Sequence, residues 1–289
     1  MSNSVLITGT ATGLGLEMAV SLAEHGFEVY ASMLDLKERA ALDAEAARRK
    51  VSLRVLQLDI TKKDDIEQAV HTVVEQSGGI YALVNNGGIG LRGYFEDLSE
   101  EEIHQIFKIN VFGTMEMTRA VLPHMRAARR GRIVIISSVA GLIGALALSS
   151  YCATKFAQEG FGESLAQEVR PFGVYVSLVE PAVIKNERWG INRNIAKGAL
   201  NPASPYSAWF REVERLADRL VDTSPTKAAD VVRVVHQVLT AQRPRLRYMV
   251  GRRAGLVVAL RRYLPRNFFD QLYFGTIVRR VTKAGQPAR

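Results

Sequence analysis

Three apolar residues, Val5-Leu6-Ile7, run straight into Thr8-Gly9-Thr10-Ala11-Thr12-Gly13-Leu14-Gly15, and a helical pattern follows to about His25. A buried strand that must turn at once through glycines into a helix leaves few folds open. Glycine is needed where one backbone approaches another or a phosphate, and the opening turn of the helix presents unpaired N–H groups that favour an anion. The alternation recurs: residues 27–32, 51–58, 80–84, 133–136, 174–180 and 248–250 read as short strands, with segments of helical spacing between them. Strands alternating with helices predict a doubly wound parallel α/β sheet of about seven strands in a single domain.

Local signals place the helices. Residues 36–49 have helical spacing behind Asp35, and Thr61 with Asp64 opens a helix to about Gln76, before the Gly78-Gly79 stop. Ser99-Glu100-Glu101-Glu102 is a capping box that starts a long helix to about Met125. Asn110 falls inside that helix, where asparagine is mildly unfavourable. Tyr206, Trp209, Phe210, Val213, Leu216 and Leu220 are spaced on one helical face behind Ser204-Pro205.

Chemistry concentrates between Ile133 and Glu168. The apolar run Ile133-Val134-Ile135-Ile136 ends in Ser137-Ser138, a loop passes Gly141 and Gly144, and a helical segment follows with Tyr151 and Lys155 near its start. Four residues apart, those two side chains share a face one turn apart. A free phenol titrates near pH ~10, and an ammonium one turn away should favour the phenolate and lower that value. Ser138, at the strand end, could then hydrogen-bond a substrate oxygen, giving a proton-transfer site for an alcohol or carbonyl. A Tyr-x-x-x-Lys pair alone also marks any amphipathic turn, so this reading depends on the rest of the chain.

The glycine turn, Asn85-Asn86-Gly87-Gly88, Asn110 and the Ser138/Tyr151/Lys155 set occur in an order and spacing that resembles the short-chain dehydrogenase/reductase family, from about Val5 to about Pro181. The resemblance implies a Rossmann-type fold and reversible hydride transfer between NAD or NADP and a secondary alcohol or ketone. It implies that Tyr151 is the general acid/base, that Lys155 lowers its pKa and holds the nicotinamide ribose, and that Ser138 orients the substrate oxygen. Asn110 would bend its helix and hold the lysine, through a water, in a proton relay. Cofactor contacts would come from Gly9, Thr12, Gly13, Leu14 and Gly15, from Asp59 at the adenine edge with Ile60 against the ring, and from Asn86, Gly88 and Pro181 alongside Tyr151 and Lys155. The run Val29-Tyr30-Ala31-Ser32, residues 151–157 and the extended tail resemble the hydroxysteroid and retinol dehydrogenase branch.

Some positions depart from the family pattern. Met33 and Leu34 stand where an NAD-selecting acid and an NADP-selecting basic residue are usual. Asp35, 20 residues after Gly15, either meets the adenosine ribose or caps the following helix. With no basic selector, a weak preference for NAD is expected. Gly87 replaces the usual alanine, and Ala182 and Asn186 replace a glycine and a threonine near the nicotinamide amide, where Asn186 could still hydrogen-bond.

Residues 183–224 make a connection long enough for a lid, with Trp189, Ile191 and Leu200 in its looser part and Trp189 as a substrate contact. The net charge of +9 is uneven: twelve basic residues and one acid, Asp270, lie after Gln242. Residues 1–250 thus read as the dehydrogenase domain and 251–289 as a basic, apolar extension, packed on the body or lying at a membrane surface. Its apolar run, 255–264, is too short to span a bilayer, but its arginines could meet anionic headgroups. Arginines interleaved with Leu, Val and Phe make no nucleic-acid reader motif. The single cysteine, Cys152, excludes an internal disulfide and reads as a packing residue. Met1-Ser2-Asn3-Ser4 leads directly into the first strand, so a cytoplasmic protein is expected, with no metal and with homodimers or homotetramers formed through the helices holding Asn110 and Tyr151. The aromatic stripe and the tail favour a steroid, retinoid or other lipid-like substrate. Small polar ketones, or a cofactor-sensing regulator without turnover, are the alternatives.

Overall fold

The computed structural model describes residues 3–185 and 194–284. Among them the strands are β1 (Ser4–Ile7), β2 (Glu28–Met33), β3 (Arg54–Gln57), β4 (Ala82–Asn85), β5 (Gly131–Ile136), β6 (Val174–Pro181) and β7 (Arg247–Val250). The helices are α1 (Gly13–Glu24), α2 (Ala40–Arg49), α3 (Lys63–Ser77), α4 (Glu100–Phe107), α5 (Thr114–Ala127), α6 (Ser149–Val169), α7 (Ser207–Asp222), α8 (Ala228–Thr240), α9 (Arg252–Tyr263) and α10 (Arg266–Ala284). The sheet order is β3-β2-β1-β4-β5-β6-β7 with every neighbouring pair parallel, as the alternating pattern predicts.

The period of two along each strand divides the core between the faces. Val5 and Ile7 of β1 and Val134 and Ile136 of β5 pack with Met18 and Leu22 of α1 and the valines of α8. Leu6, Ile133 and Ile135 point the other way, onto Val70 of α3, Met117 and Val121 of α5 and Leu165 of α6. Each fully buried Val, Leu or Ile contributes roughly 1.5–3 kcal/mol, so both apolar layers are needed to hold one sheet. After β3 the chain crosses back to place β4 beside β1, and the carboxyl ends of those two strands flank the crevice where such sheets bind ligands.

The long helix expected from Ser99 to Met125 starts on its capping box, with Ser99 Oγ accepting from Glu102 N–H and the Glu102 carboxylate accepting from Ser99 N–H. It is not continuous. Residues Lys108–Gly113 form a π-helical turn between α4 and α5, because Asn110 commits its side chain to the Ile89 backbone and Gly113 lies against Ile60. The segment behind Asp35 opens as a 3₁₀ turn before α2, and β3 is shorter than its alternating pattern.

In α7, Phe210, Val213 and Val221 are buried, whereas Leu220 is 58% exposed, so the contact face turns at its C-terminal end. The tail packs on the body: Val281 and Ile277 of α10 join Phe210, Val213 and Leu216 of α7, and Phe269 is buried. Its outer face shows Leu256, Leu260, Tyr263, Phe268 and Leu272. No described helix is long and apolar enough to cross a membrane.

Beneath the loop after β5, Arg247 of β7 bonds Glu159 and Glu163 of α6 and, at 3.1 Å, Glu180 of β6. Glu180 is 2% exposed, and burial together with the neighbouring Glu159 charge raises its pKa to about 7. Because that folded value lies above the unfolded one, the proton stabilises the fold at low pH, and this contribution is lost as pH rises from about 4.5 to about 7. Replacing Glu180 by Gln should therefore flatten the fall in stability between pH 5 and pH 7.5 and stabilise the protein above pH 7, on the order of 2 kcal/mol. Thermal melts across that range check it; a variant with the wild-type slope would contradict it.

Candidate active site

The turn after β1 is built on close backbone contact. A Cβ on Gly9, whose φ is +71°, would lie 2.9 Å from Gly87 Cα, and one on Gly15 would fall on the Gly9 carbonyl oxygen. Gly13 has φ +59° with open space around it. Thr8 Oγ1 accepts from the N–H groups of Asn86 and Gly87, and Asn86 Nδ2 donates to the carbonyls of Thr8 and Gly9, both at 2.9 Å. The turn is thereby stapled to the end of β4. Gly87, the departure from alanine, fits here because a Cβ would press to 3.1 Å on Thr8 Oγ1. Thr12 precedes α1 with no side-chain cap, and no acid lies in its first turn. Gly9, Gly13 and Gly15 open the turn by carrying no Cβ, and together with Thr12 and Leu14 they set backbone amides at the N-terminus of α1, which fits a pyrophosphate.

The positions for the adenosine half are mixed. Met33 is buried in the core, Leu34 is 62% exposed, and Asp35 is exposed. Asp35 acts as a cap, its carboxylate accepting from Lys37 N–H at 2.9 Å. Asp35 thus caps the 3₁₀ turn that opens the segment before α2. Asp59 accepts from the Thr61 N–H and hydroxyl. Burial would raise its pKa, but the Thr61 bonds and the Lys62 and Lys108 charges outweigh it and hold the carboxyl below its usual range. Ile60 is half-buried, set between Gly87 and Gly113.

Ser138 lies two residues past the end of β5, its Oγ accepting from Ala140 N–H at 3.1 Å, and its hydroxyl hydrogen-bonds the Tyr151 phenol. Tyr151 and Lys155 lie on one face of α6, with Lys155 Nζ 5.8 Å from the phenol ring centre. The expectation that the ammonium leaves the phenol with a lowered pKa is corrected. Burial dominates and raises it, with the Ser138 hydrogen bond acting in the opposite direction. Lys155 is only 7% exposed, and burial lowers its pKa to about 8 against the favourable pull of Glu159. Its ammonium donates to the Ile136 carbonyl and to Gln158 Oε1, each at 2.9 Å.

Asn110 is fully buried in the π turn. Its side chain accepts from Ile89 N–H and donates to the Ile89 carbonyl and to Thr154 Oγ1. Its own carbonyl accepts from Gln158 Nε2 at 2.6 Å and from the Thr114 hydroxyl at 2.8 Å. Between Asn110 and Lys155, where the resemblance implies a water, this chain places the amide of Gln158. Sequence reasoning passed over Gln158, Thr154 and Thr114, because polar residues inside a helix usually face solvent. The available signal was spacing, since positions 151, 155 and 158 share a face. Gly88 lies against Asn110, a Cβ there coming within 3.0 Å of Oδ1, and buried Pro181 ends β6. Cys152 is buried, its thiol pushed up by desolvation, as befits packing. Trp189 and Asn186 lie outside the described residues.

Tyr151 also packs against an apolar cluster, with Ala147, Leu146, Phe210, Val213 and Trp209. Tyr94 stacks on Tyr206 at 4.6 Å, and Arg92 Nε donates to Glu214 at 2.5 Å, so α7 is fastened over the loop after β4.

The short chain dehydrogenase family model matches residues 3–194. Retinol dehydrogenase 8 of Bos taurus is 35% identical over 91% of this chain and 86% of its own length. The 17-beta-hydroxysteroid dehydrogenase type 1 of Homo sapiens is 43% identical over 61% of this chain and 55% of its own. A crystal structure of a short-chain dehydrogenase from Streptomyces avermitilis, 28% identical, superposes with a TM-score of 0.76, covering 96% of this chain and 99% of that one.

Two glycine substitutions separate space from conformation in the cradle. Gly15→Ala drives its methyl into the Gly9 carbonyl, so the turn must move. The variant should melt at lower temperature and bind NAD(H) or NADP(H) at least about tenfold more weakly, ~1.4 kcal/mol. Gly13→Ala meets open space and carries only the left-handed penalty, about 1–2 kcal/mol. Fluorescence titration with reduced cofactor checks the pair; a Gly15→Ala variant that binds normally would refute the cradle.

Proposed function

The chain belongs to the short-chain dehydrogenase/reductase family and is an NAD(P)-dependent oxidoreductase, and from that premise we propose that it interconverts a hydrophobic secondary alcohol and its ketone. The observation that carries this reading is the junction of two halves at the carboxyl edge of the sheet. Tyr151, bonded to Ser138 and one helical turn from Lys155, packs against an apolar cluster, while the glycine cradle follows β1, separated from β5 by β4 alone. When bound, the nicotinamide supplies or accepts the hydride.

The residues of the chain handle the proton. Ser138 holds the substrate oxygen against the phenol, and Tyr151, whose pKa burial raises, keeps its proton at neutral pH and donates it to a carbonyl oxygen. Asn110 and Lys155 support it from behind, and Lys155 retains an N–H for the nicotinamide ribose. The apolar cluster of Leu146, Ala147, Trp209 and Phe210 supports a steroid, retinoid or lipid-like substrate over a small polar ketone. The retinol and hydroxysteroid dehydrogenases among the relatives support the same choice.

In this reading residues 1–250 are the dehydrogenase body, 183–224 cover the site, and 251–289 are an extension. Homo-oligomers would form along α5 and α6, where a groove of about 510 Å³ is lined by Leu122, Phe161, Leu165 and Phe172. The exposed Leu256, Leu260 and Phe268, with Arg262 nearby, support a peripheral contact of the tail with an anionic membrane surface.

Tyr151→Phe should abolish turnover in both directions while leaving the melting temperature and cofactor affinity nearly unchanged. In the wild type, ketone reduction should fall as pH rises and deprotonates the phenol, and alcohol oxidation should rise over the same range. A panel of alcohols and ketones followed by nicotinamide absorbance tests this. A variant active within about tenfold of wild type, ~1.4 kcal/mol of barrier, removes Tyr151 from the reaction, and fastest turnover of short polar ketones removes the hydrophobic substrate.

A weak preference for NAD(H) is the second expectation. The exposed carboxylate of Asp35 and the apolar Leu34 offer nothing to a 2′-phosphate at the end of β2. Competitive titration decides, and clearly tighter NADP(H) binding would mean that Lys37 or another basic residue turns toward the ribose.

A further inference from the structure

Gln158 is 3% exposed and hydrogen-bonded at both ends of its amide. Its Nε2 donates to the Asn110 carbonyl at 2.6 Å and to the Thr114 hydroxyl at 3.0 Å, and its Oε1 accepts from Lys155 Nζ at 2.9 Å. The partners fix which way the amide points. A carbonyl can only accept, so the NH₂ faces Asn110, and an ammonium can only donate, so the oxygen faces Lys155. Thr114 gives its proton to the same Asn110 carbonyl and turns a lone pair to Gln158. With Ile136 as the second acceptor, two of the three ammonium protons are held, and one remains.

We propose that Gln158 is a positioning residue, which holds the Lys155 ammonium beside Tyr151 and stabilises its charge through Oε1. The inference deepens the proton-transfer reading above and rests on it. A hydrogen bond accepted from the ammonium favours the charged form, opposing the desolvation of this buried lysine. The amide also differs from a hydroxyl or a water in what it can pass on. It accepts at oxygen and donates at nitrogen, and carrying a proton from one to the other would need an O-protonated or imidic form that is scarce near neutral pH. Gln158 therefore anchors Lys155 without handing its proton to Asn110, and exchange takes place on the Tyr151 side.

The test uses the full-length chain and two substitutions of nearly equal size. Gln158→Met removes the acceptor and keeps the volume; Gln158→Glu replaces it with an anionic one. Lysine-selective ¹³C NMR of the unliganded protein, with the Lys155 signal assigned by its loss in Lys155→Met, reads the titration without any substrate. The expected result is a Lys155 midpoint lower by about one pH unit in Gln158→Met and higher by a similar amount in Gln158→Glu. With the best substrate of the panel, kcat of Gln158→Met should drop about tenfold with KM for that substrate changed less than threefold. The pH profile of kcat should move in the same direction as the NMR midpoint in each variant. Melting temperatures and circular dichroism identify a variant that has lost its fold, and either folded variant suffices for the reading.

Midpoints and pH profiles that stay at the wild-type position in a folded variant overturn the proposal and leave Gln158 a packing residue. The two readings fail separately. If Tyr151→Phe remains active, the proton-transfer reading falls whatever Gln158 does. If Tyr151→Phe is dead and the Lys155 titration ignores Gln158, only this inference falls.

Discussion

A lysine ammonium cannot be taken out of water without acceptors around it, and much of this active site follows from burying Lys155. Ile136 supplies one acceptor because β5 ends where α6 begins its second turn. Gln158 supplies the other, and its own NH₂ must then be satisfied, which calls on the Asn110 carbonyl and Thr114. That carbonyl receives two side-chain donors from within a helix because it lies in the π turn, where the regular ladder is interrupted. Asn110 in turn fixes Ile89 in the loop after β4. One buried charge therefore connects β5, α6, the π turn and the loop bordering the cofactor crevice.

The cradle rests on a different constraint, the absence of side chains. Gly9 meets Gly87 and Gly15 meets Gly9 at distances that no Cβ would survive, and the hydroxyl of Thr8 and the amide of Asn86 bind the N–H groups of Asn86 and Gly87 and the carbonyls of Thr8 and Gly9. Sheet order makes this possible, since only a return of the chain to β4 brings residue 87 beside residue 9. Topology and local sequence agree here, which is the consistency expected of a sequence that specifies one structure.

That agreement explains what could be read before the fold was known. Strand and helix order, the glycine turn and the Ser138/Tyr151/Lys155 set depend on short-range spacing, and a sequence displays spacing directly. Gln158 shares the helical face of Tyr151 and Lys155, but what it does there could not be read from that spacing, because its role depends on a carbonyl 48 residues away. The direction of the Tyr151 pKa was misread for a related reason: the lysine neighbour shows in the sequence, but burial belongs to the packed state. The resemblance implies a bend at Asn110 and the π turn falls there, but its form could not be read, because it comes from tertiary contacts at Ile60 and Ile89 with no proline or glycine pair to signal a break before Gly113. Asp35 read two ways in the sequence, and the structure shows the cap, its carboxylate accepting from the N–H of Lys37.

The basic C-terminal part also takes on a specific meaning. Arg247 lies on the edge strand β7, yet it is bound to Glu159, the carboxylate whose charge favours the Lys155 ammonium. Without an arginine there, the buried Glu159 and Glu180 would face one another unscreened, and the repulsion would fall on the helix that carries Tyr151. Arg247 draws the Glu180 pKa down against burial and the Glu159 charge, which still leave it at about 7, and it fixes Glu159 near the lysine. Arg261 of α9 reaches the Leu142 carbonyl in the loop between Ser138 and Tyr151. Two of the arginines that make the C-terminal part look like a polyanion-binding segment are thus turned inward, one onto acids of α6 and β6 and one onto the loop before α6. A run of positive charge says little about a partner until the inward-facing members have been subtracted.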